Sequence, residues 1–422
     1  MSIIVMENSA DLEQAHDQPK KCSEHTRQAW LTVSGSFLVY FVSFGYMNSF
    51  GYFQDYYTKN DLADFSPSLV SFIGSLQLGL MYLVGPAAGV LCDAYGATWL
   101  YLVAAIGGIV SCVRVSFATP EHIWQHMLSQ GVLFGITVPF GTNVALPIAN
   151  QHFKQSRALA LGVVASGSSL DGVCLPIMYS YLVPQIGFSW SLRLTALIIL
   201  VFYGAVILIS TPKLPRKPLQ SARNILDFGG FRDVRYCTLA LANVVGNFGF
   251  YVPFFYLEPY LTIHHLGEAV SPYLLPMING SSFFGRIIGG FAADHVGGLN
   301  LLYPLTILSG IICLTVWLAA TGVGMVVSFA CLYGFCSGIF VSVMSSVIVG
   351  ISPENKIGAR LGAFSTWSAI GVFTGTPIGG AIVKNGTPLR HMIVYTGTCM
   401  TVAGALLLVA RLLCDRSLRT KW

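Results

Sequence analysis

The chain has 422 residues, of which 54% are hydrophobic and only 10% are charged, and its formal net charge is +5. Soluble domains carry about 25% charged residues, so this composition excludes a water-soluble protein of this size. The basic residues lie mainly in short segments between apolar stretches, where they orient a membrane protein, so we expect no nucleic-acid partner.

Twelve apolar stretches make up most of the chain, and each provides the roughly 20 residues that cross a bilayer core as a helix. We expect helices near residues 30–53, 68–91, 98–117, 124–148, 158–181, 191–211, 236–262, 271–293, 299–320, 325–350, 361–383 and 391–413. The sequence therefore predicts an all-α membrane protein with twelve transmembrane helices.

A short pattern of two glycines and an aspartate occurs twice. One copy follows the second predicted helix and the other follows the eighth, with corresponding residues 201 positions apart: Gly89, Asp93 and Gly96, then Gly290, Asp294 and Gly297. A duplicated six-helix unit is typical of proteins that move solutes across membranes. We predict that both loops take part in gating.

The duplication predicts two pseudo-symmetric six-helix bundles, at residues 29–211 and 236–413. A cytosolic linker at 212–235 joins them, and cytosolic tails at 1–28 and 414–422 flank them; the first tail is expected to be disordered. Both termini are assigned to the cytosol because 17 of the 23 lysines and arginines then lie inside. The exceptions are Lys59, Arg114, Arg193, Lys384 and Arg390 outside, and Arg286 within a helix. The plasma membrane is the expected location.

Further motifs accompany the repeat, at residues 152–176, 256–257, 279–286, 357–362 and 375–380. Together with the twelve spans, they resemble the major facilitator superfamily and, within it, the fungal branch of the monocarboxylate-porter-type family. The resemblance covers residues 30–413. It implies the major facilitator fold and alternating access, in which two halves rock about a central site. We expect the chain to function as a monomer.

Better-studied members of that family couple a monocarboxylate to a proton through a lysine in helix one and an aspartate and an arginine in helix eight. At these positions this chain has Asn48, Ser282 and Arg286. The resemblance therefore implies substrate binding at Arg286, while two of the three charged partners of the proton-coupled mechanism are missing. Asn279 and Ser282, from the same helix-eight motif, are also predicted to bind substrate.

Helical spacing indicates polar and aromatic faces without reference to any family. The two sets are Asn243, Asn247 and Tyr251 in helix seven, and Tyr40, Phe44 and Asn48 in helix one. Each set lies on one side of its helix. Lipid penalises polar side chains, so these faces meet either a solute cavity or a neighbouring helix. We predict that they line the substrate path, with helix packing as the alternative.

Two charged residues lie deep within predicted spans, where a charge costs about 2.5–3.5 kcal/mol. Arg286 is expected about 12 Å from the cytosolic end of its helix and Asp171 about 21 Å from that side. We predict that Asp171 supplies the acid that Ser282 lacks, pairs with Arg286 and couples transport to protonation. The alternatives are an arginine that extends toward the inner headgroups and a carboxyl that is protonated or bonded to Ser168.

The predicted function is secondary active or facilitative transport of a small organic metabolite that carries a carboxylate, with protons as a candidate coupling ion. One alternative is an efflux carrier for a fungal secondary metabolite without proton coupling. A transport-dead sensor or scaffold on a carrier fold ranks lower. The sequence contains no phosphate-binding Gly-x-x-x-x-Gly-Lys-Ser/Thr motif and no placed catalytic pair. We therefore expect no enzyme activity, no cofactor and no metal.

Overall fold

The computed structural model describes residues 26–153, 157–210, 227–266, 268–353, 356–383 and 389–415, together with Ser417 and Thr420. Twelve long helical segments follow one another: α1 Arg27–Lys59, α2 Pro67–Tyr95, α3 Ala97–Val115, α4 Ile123–Asn150, α5 Arg157–Ile186, α6 Phe188–Ile209, α7 Val234–Ile263, α8 Ser271–Val296, α9 Gly298–Trp317, α10 Val323–Ile351, α11 Ile357–Val383 and α12 Leu389–Cys414. The predicted tails and linker lie largely outside the described residues.

Two helices end more than four residues beyond their predicted spans. The prediction ended helix one at residue 53 and helix five at residue 181, whereas α1 ends at Lys59 and α5 at Ile186. The last turns of α1 are polar in sequence, yet Tyr57 within them is fully buried. Apolar composition shows which part of a helix contacts lipid, but it does not show where the helix ends. The polar last turns could therefore not be predicted from hydropathy.

Three of the described spans contain interior breaks, at Ser49 in α1, Val138 in α4 and Tyr251 in α7. In α1, Ser49 interrupts the helix and its hydroxyl donates to the carbonyl oxygen of Gly45 at 2.9 Å. In α7, the helix breaks at Tyr251 and resumes at Val252 with Pro253 in its first turn. Proline lacks the N–H that would continue the preceding helix, and neighbouring helices satisfy the freed groups.

Ten of the described helices are long and apolar enough to cross a membrane, and α8 and α11 are not among them. The sequence of α8 contains Arg286 and Asp294, and that of α11 is rich in glycine, serine and threonine. Both helices are packed among others, α8 between α5 and α10 and α11 between α2 and α7. Their polarity therefore belongs to the interior of the helix assembly.

The helices pack as two halves that meet along two pairs. Within the first half α1 contacts α4, α5 and α6, and within the second α7 contacts α11 and α12. Across the halves, α5 runs beside α8 and α2 runs beside α11. This arrangement confirms the predicted all-α fold with two related bundles. We call the face where α1 begins and α12 ends the terminal face, and the opposite one the far face.

The last glycine of each repeated motif makes a sharp turn at the terminal face. Gly96 has φ 87° between α2 and α3, and Gly297 has φ 101° between α8 and α9. Their N–H groups close the preceding helices on the carbonyl oxygens of Cys92 and Ala293. A residue with a Cβ rarely adopts this backbone conformation, so the motif requires glycine here.

Candidate functional site

The candidate site is built around Arg286, which α8 places in the interior at 6% exposure. Its Nη1 donates to the carbonyl oxygen of Ala165 at 2.6 Å and to the hydroxyl of Ser168. The α8 backbone meets α5 at Gly162, where a Cβ would lie 2.7 Å from the Arg286 carbonyl oxygen. From that level the guanidinium extends away from the terminal face. The alternative in which Arg286 reaches toward the terminal headgroups is therefore wrong.

No carboxylate among the described residues forms an ion pair with Arg286, and its Nε donates to none of them. Asn48 of α1 contributes to the same cluster, because its Nδ2 donates to the Ser168 carbonyl oxygen at 3.3 Å. Ser168 therefore links α1, α5 and α8. A buried guanidinium with incomplete partners is costly, and an anion is the ligand that would offset this cost.

Asp171 lies one helical turn beyond Ser168 along α5 and is 1% exposed. Its carboxylate oxygens accept no hydrogen bond from any residue that the structure describes. The side chain fills a notch at Gly45 of α1, where an added Cβ would overlap it. The predicted pair between Arg286 and Asp171 is not formed in this conformation, and neither is the alternative bond to Ser168, whose hydroxyl donates to Ala165.

Three tyrosines bring α1, α2 and α7 to Arg286. Tyr40, Tyr82 and Tyr251 lie within electrostatic range of its guanidinium. Tyr40 also stacks on Phe44 of the same helix, with ring centroids 5.2 Å apart. Tyr40, Phe44, Asn48 and Tyr251 thus lie in the same interior region as Arg286, and their role in substrate binding stays a prediction. The arrangement provides one cation and several aromatic faces within the same interior region.

Asn279 and Ser282 lie in the α5–α8 interface. The Ser282 hydroxyl accepts from Ser169 of α5 at 3.3 Å. Asn279 abuts the backbone of Gly172, and its Nδ2 donates to the Leu275 carbonyl oxygen of its own helix at 3.0 Å. Both side chains are buried by helix packing. Their predicted role in substrate binding has no support from these contacts.

The polar stripe of α7 divides between two environments. Asn243 donates to the Ser368 hydroxyl of α11 at 2.5 Å, and Asn247 donates to the Asn243 carbonyl oxygen at 2.8 Å. Gly371 of α11 packs against the Cβ of Asn247. Asn243 and Asn247 therefore make helix-packing contacts, which was the alternative prediction for this stripe, whereas Tyr251 lies near Arg286. A polar residue that avoids lipid shows the same spacing in the sequence whether it lies in a helix interface or beside a binding site.

The sequence profile of the Major Facilitator Superfamily matches residues 32–375. The chain belongs to this superfamily. The MFS transporter asaE of Aspergillus flavus is 33% identical over 399 residues, which span 94% of this chain and 89% of that protein. The agnestins efflux protein AgnL12 of Paecilomyces divaricatus is 32% identical over 407 residues, spanning 96% and 92%.

The fold has a counterpart among solved structures. The crystal structure of the human organic anion transporter MFSD10 superposes with a TM-score of 0.66, covering 94% of this chain and all of that one, at 15% identity. This likeness supports the fold. With the family relationship, it confirms the prediction of a multi-pass membrane transporter, and the similar proteins are transporters rather than enzymes.

At the far face, this facilitator has its halves in contact. Gln54 of α1 donates to the Phe255 carbonyl oxygen of α7 at 3.5 Å, and the rings of Phe50 and Phe255 lie 5.1 Å apart. Between α2 and α11, the hydroxyls of Ser75 and Thr376 share a short hydrogen bond. These contacts hold the two halves together at the far face.

At the terminal face the two repeated motifs differ. Asp294 accepts from the N–H groups of Ala158 and Leu159 at 3.3 and 3.0 Å, so it caps the start of α5 across the halves. Gly290 packs against the Ala158 carbonyl oxygen, while Gly89, its counterpart, has no neighbouring atom within 4 Å of an added Cβ. The α8 motif is therefore docked on the other half, and Gly89 faces open space.

Sequence reasoning missed two residues of this site. Tyr82 is one of several aromatic residues in an apolar span, and no spacing in α2 distinguished it. Ser168 occurs in a run of small residues and was considered only as a partner of Asp171, whereas it accepts from Arg286. Its place in the sequence, six residues after Gly162, could have suggested the contact once α5 and α8 were paired.

Proposed function

We propose that this transporter carries a small organic anion and that Arg286 binds the anionic group. The observation that supports this proposal is a buried guanidinium whose described partners are a backbone carbonyl and a hydroxyl rather than an acid. Removing a charge from water without a counter-charge costs several kcal/mol. A substrate carboxylate would supply the counter-charge and gain bidentate geometry from the guanidinium.

The aromatic residues around Arg286 favour a flat organic solute. Tyr40 and Phe44 are already stacked, and Tyr82 and Tyr251 lie on the opposing helices. Aromatic faces bind planar apolar groups, and tyrosine hydroxyls orient them through hydrogen bonds. We therefore place Tyr40, Phe44, Tyr251 and Asn48 in the binding site and assign Asn243, Asn247, Asn279 and Ser282 to the helix packing that supports it.

Alternating access follows from the way the halves meet. We take residues 29–211 and 236–413 as two bundles that rock about Arg286, with a cytosolic terminal face and the plasma membrane as location. The far-face contacts of α1 with α7 and the open space at Gly89 suit a path that opens toward the terminal face. We retain the predicted kinship with fungal monocarboxylate-porter-type carriers, and function as a monomer, as part of this proposal.

Asp171 is the proposed site of coupling to protons. It is buried beside the Arg286 cluster, and its carboxylate has no partner among the described residues. An isolated buried carboxylate is strongly disfavoured in its charged form, so burial favours the protonated form of this side chain. Protonation of Asp171 would then alternate with binding of a substrate anion at Arg286.

A matched ligand pair tests the anion site. The wild-type chain in nanodiscs would be heated with aromatic and aliphatic carboxylates, each compared with its uncharged amide, for example benzoate with benzamide. We expect carboxylates to raise the melting temperature, amides to have no effect, and Arg286→Gln to abolish the difference. Arg286→Lys keeps the charge and should retain part of it. Equal stabilisation by both members of each pair would contradict the proposal.

Export of a fungal secondary metabolite without proton coupling is a second candidate. It is favoured by the similarity to the agnestins efflux protein AgnL12 along almost the whole chain. Proteoliposomes loaded with a carboxylate that stabilises the protein would distinguish the two. Release that a protonophore leaves unchanged supports uncoupled efflux, and release that follows the proton gradient supports coupling at Asp171. No movement of any stabilising ligand would support the sensor alternative.

A further inference from the structure

A groove of about 360 Å³ lies between the far-face end of α3 and the start of α4. Its lining includes the apolar residues Val110, Leu128 and Leu133 and the polar residues Arg114, Gln125 and Ser129. The two helices are pinned just beyond it, where the Ser111 hydroxyl donates to the Ser129 carbonyl oxygen at 2.9 Å. The groove therefore lies outside the interface between the halves and apart from Arg286.

The shape of α4 contributes to the groove. Residues Met127–Phe134 form a π-helical turn, whose wider winding displaces the helix surface relative to a regular α-helix. Such turns carry an energetic cost and occur often at functional sites. Leu128, Ser129 and Leu133, which line the groove, all belong to this segment.

Aromatic residues fix the level of the groove in the membrane. Trp124 at the groove and Trp190 nearby are 54% and 61% exposed, and Phe117 is exposed between them. Tryptophan concentrates at the boundary between hydrocarbon and headgroups. Arg114 is therefore at headgroup level. The apolar lining residues Val110, Leu128 and Leu133 lie deeper, toward the hydrocarbon.

Arg114 carries an available charge. It is exposed, and it donates to none of the residues that the structure describes. Its neighbour Arg193 is engaged: its guanidinium lies 4.6 Å from the rings of Phe117 and Trp190, and its Nε donates to Ser116 at 3.3 Å. A phosphate is the group at this depth that complements a free guanidinium.

We propose that this groove binds one glycerophospholipid of the far-face leaflet. Its phosphate accepts hydrogen bonds from Arg114, and one acyl chain lies along Val110, Leu128 and Leu133. The occupant is a phospholipid rather than a sterol because the charge at the groove calls for an anionic group. The site is independent of the transported solute and of the proposed role of Arg286.

Native mass spectrometry of the full chain in mild detergent tests the site. The probes are palmitoyl-oleoyl-phosphatidylglycerol and palmitoyl-oleoyl-glycerol, which has the same chains without the phosphate. We expect one phosphatidylglycerol to remain bound to the wild type and at least tenfold less of the phosphate-free lipid. Arg114→Gln and Leu128→Trp, which fills the groove, should each lower phosphatidylglycerol occupancy at least fivefold.

Arg390→Gln is the matched control, because Arg390 is an exposed arginine at the start of α12 on the same face. It should leave occupancy unchanged, and all variants should melt like the wild type without added lipid. Equal occupancy in wild type and Arg114→Gln would overturn the proposal. So would equal binding of the two probes, or an effect of Arg390→Gln as large as that of Arg114→Gln.

Discussion

Arg286 and Asp171 form neither a hydrogen bond nor an ion pair with each other, although Arg286 bonds to a residue one helical turn from Asp171. Arg286 bonds to Ser168 instead, and Asp171, three residues and about 4.5 Å further along α5, has no described partner. Both residues are buried. Arg286 therefore has no acid as a partner and Asp171 has no cation among the described residues, and an anion or a proton could compensate each of them.

This separation predicts coupling between the two residues during transport. Asp171→Asn should remove the pH dependence of flux, since it replaces the group that gains and loses the proton. Combined with Arg286→Gln, the loss of flux should fall short of the sum of the single losses by more than about 0.5 kcal/mol. Proteoliposome flux between pH 5.5 and 7.5 measures both, and strictly additive losses would show that the residues act independently.

The packing of Asp171 against Gly45 can be tested by the stability of a Gly45 variant. A Cβ at Gly45 would overlap the Asp171 side chain, so Gly45→Ala should destabilise the protein by about 1–3 kcal/mol. Gly204→Ala is the control, because nothing lies within 4 Å of a Cβ there. Adding Asp171→Ala to Gly45→Ala should restore much of the melting temperature. If Gly45→Ala melts like Gly204→Ala, Asp171 does not occupy this notch.

We predict that Asp294 protects the first amides of α5 from hydrogen exchange. Its carboxylate accepts from the N–H groups of Ala158 and Leu159, which have no partner in the first turn of their own helix. Asp294→Ala should therefore raise hydrogen exchange of these amides about fivefold, equivalent to about 1 kcal/mol for a lost cap. Exchange in α3 provides the internal reference. Unchanged protection at Ala158 and Leu159 would argue against capping across the halves.

Asp233 precedes α7 outside the membrane, and we predict that its stabilising effect does not change with pH between 7 and 5. The Arg235 guanidinium donates to it at 3.0 and 3.1 Å, and this hydrogen bonding lowers the pKa of Asp233 below its usual value. Its stabilisation is therefore full above about pH 3.9 and declines only as pH falls through the lower folded value. The melting difference between wild type and Asp233→Ala, worth under about 1 kcal/mol, should be constant from pH 7 to 5.

Much of the architecture could be predicted from the sequence because the bilayer limits the possibilities. Each apolar stretch corresponds to a helix, and Gly96 and Gly297 mark turns that only glycine makes easily. Helix ends were less predictable, since α1 continues to Lys59 through polar residues that pack on other parts of the protein. The bilayer determines which segments cross it, while tertiary contacts determine where they stop.

The candidate site was only partly predictable, for a different physical reason. The sequence identifies side chains that avoid lipid, but Asn243 in a helix interface and Tyr251 beside Arg286 satisfy that condition equally. Whether a residue lies in a helix interface or beside Arg286 depends on how its helix is rotated and on which helices are its neighbours. The periodicity of a single sequence does not contain this information. Tyr82 was missed for the same reason, since its role depends on where α2 lies relative to Arg286.

The most direct test of the account is the charge dependence of transport at Arg286. Proteoliposomes containing wild type, Arg286→Lys or Arg286→Gln would be compared for exchange of a stabilising carboxylate. We expect Arg286→Gln to lower exchange at least a hundredfold and Arg286→Lys to retain measurable exchange, with melting temperatures close to the wild type. Wild-type exchange rates in folded Arg286→Gln would contradict the central claim that this buried guanidinium binds the transported anion.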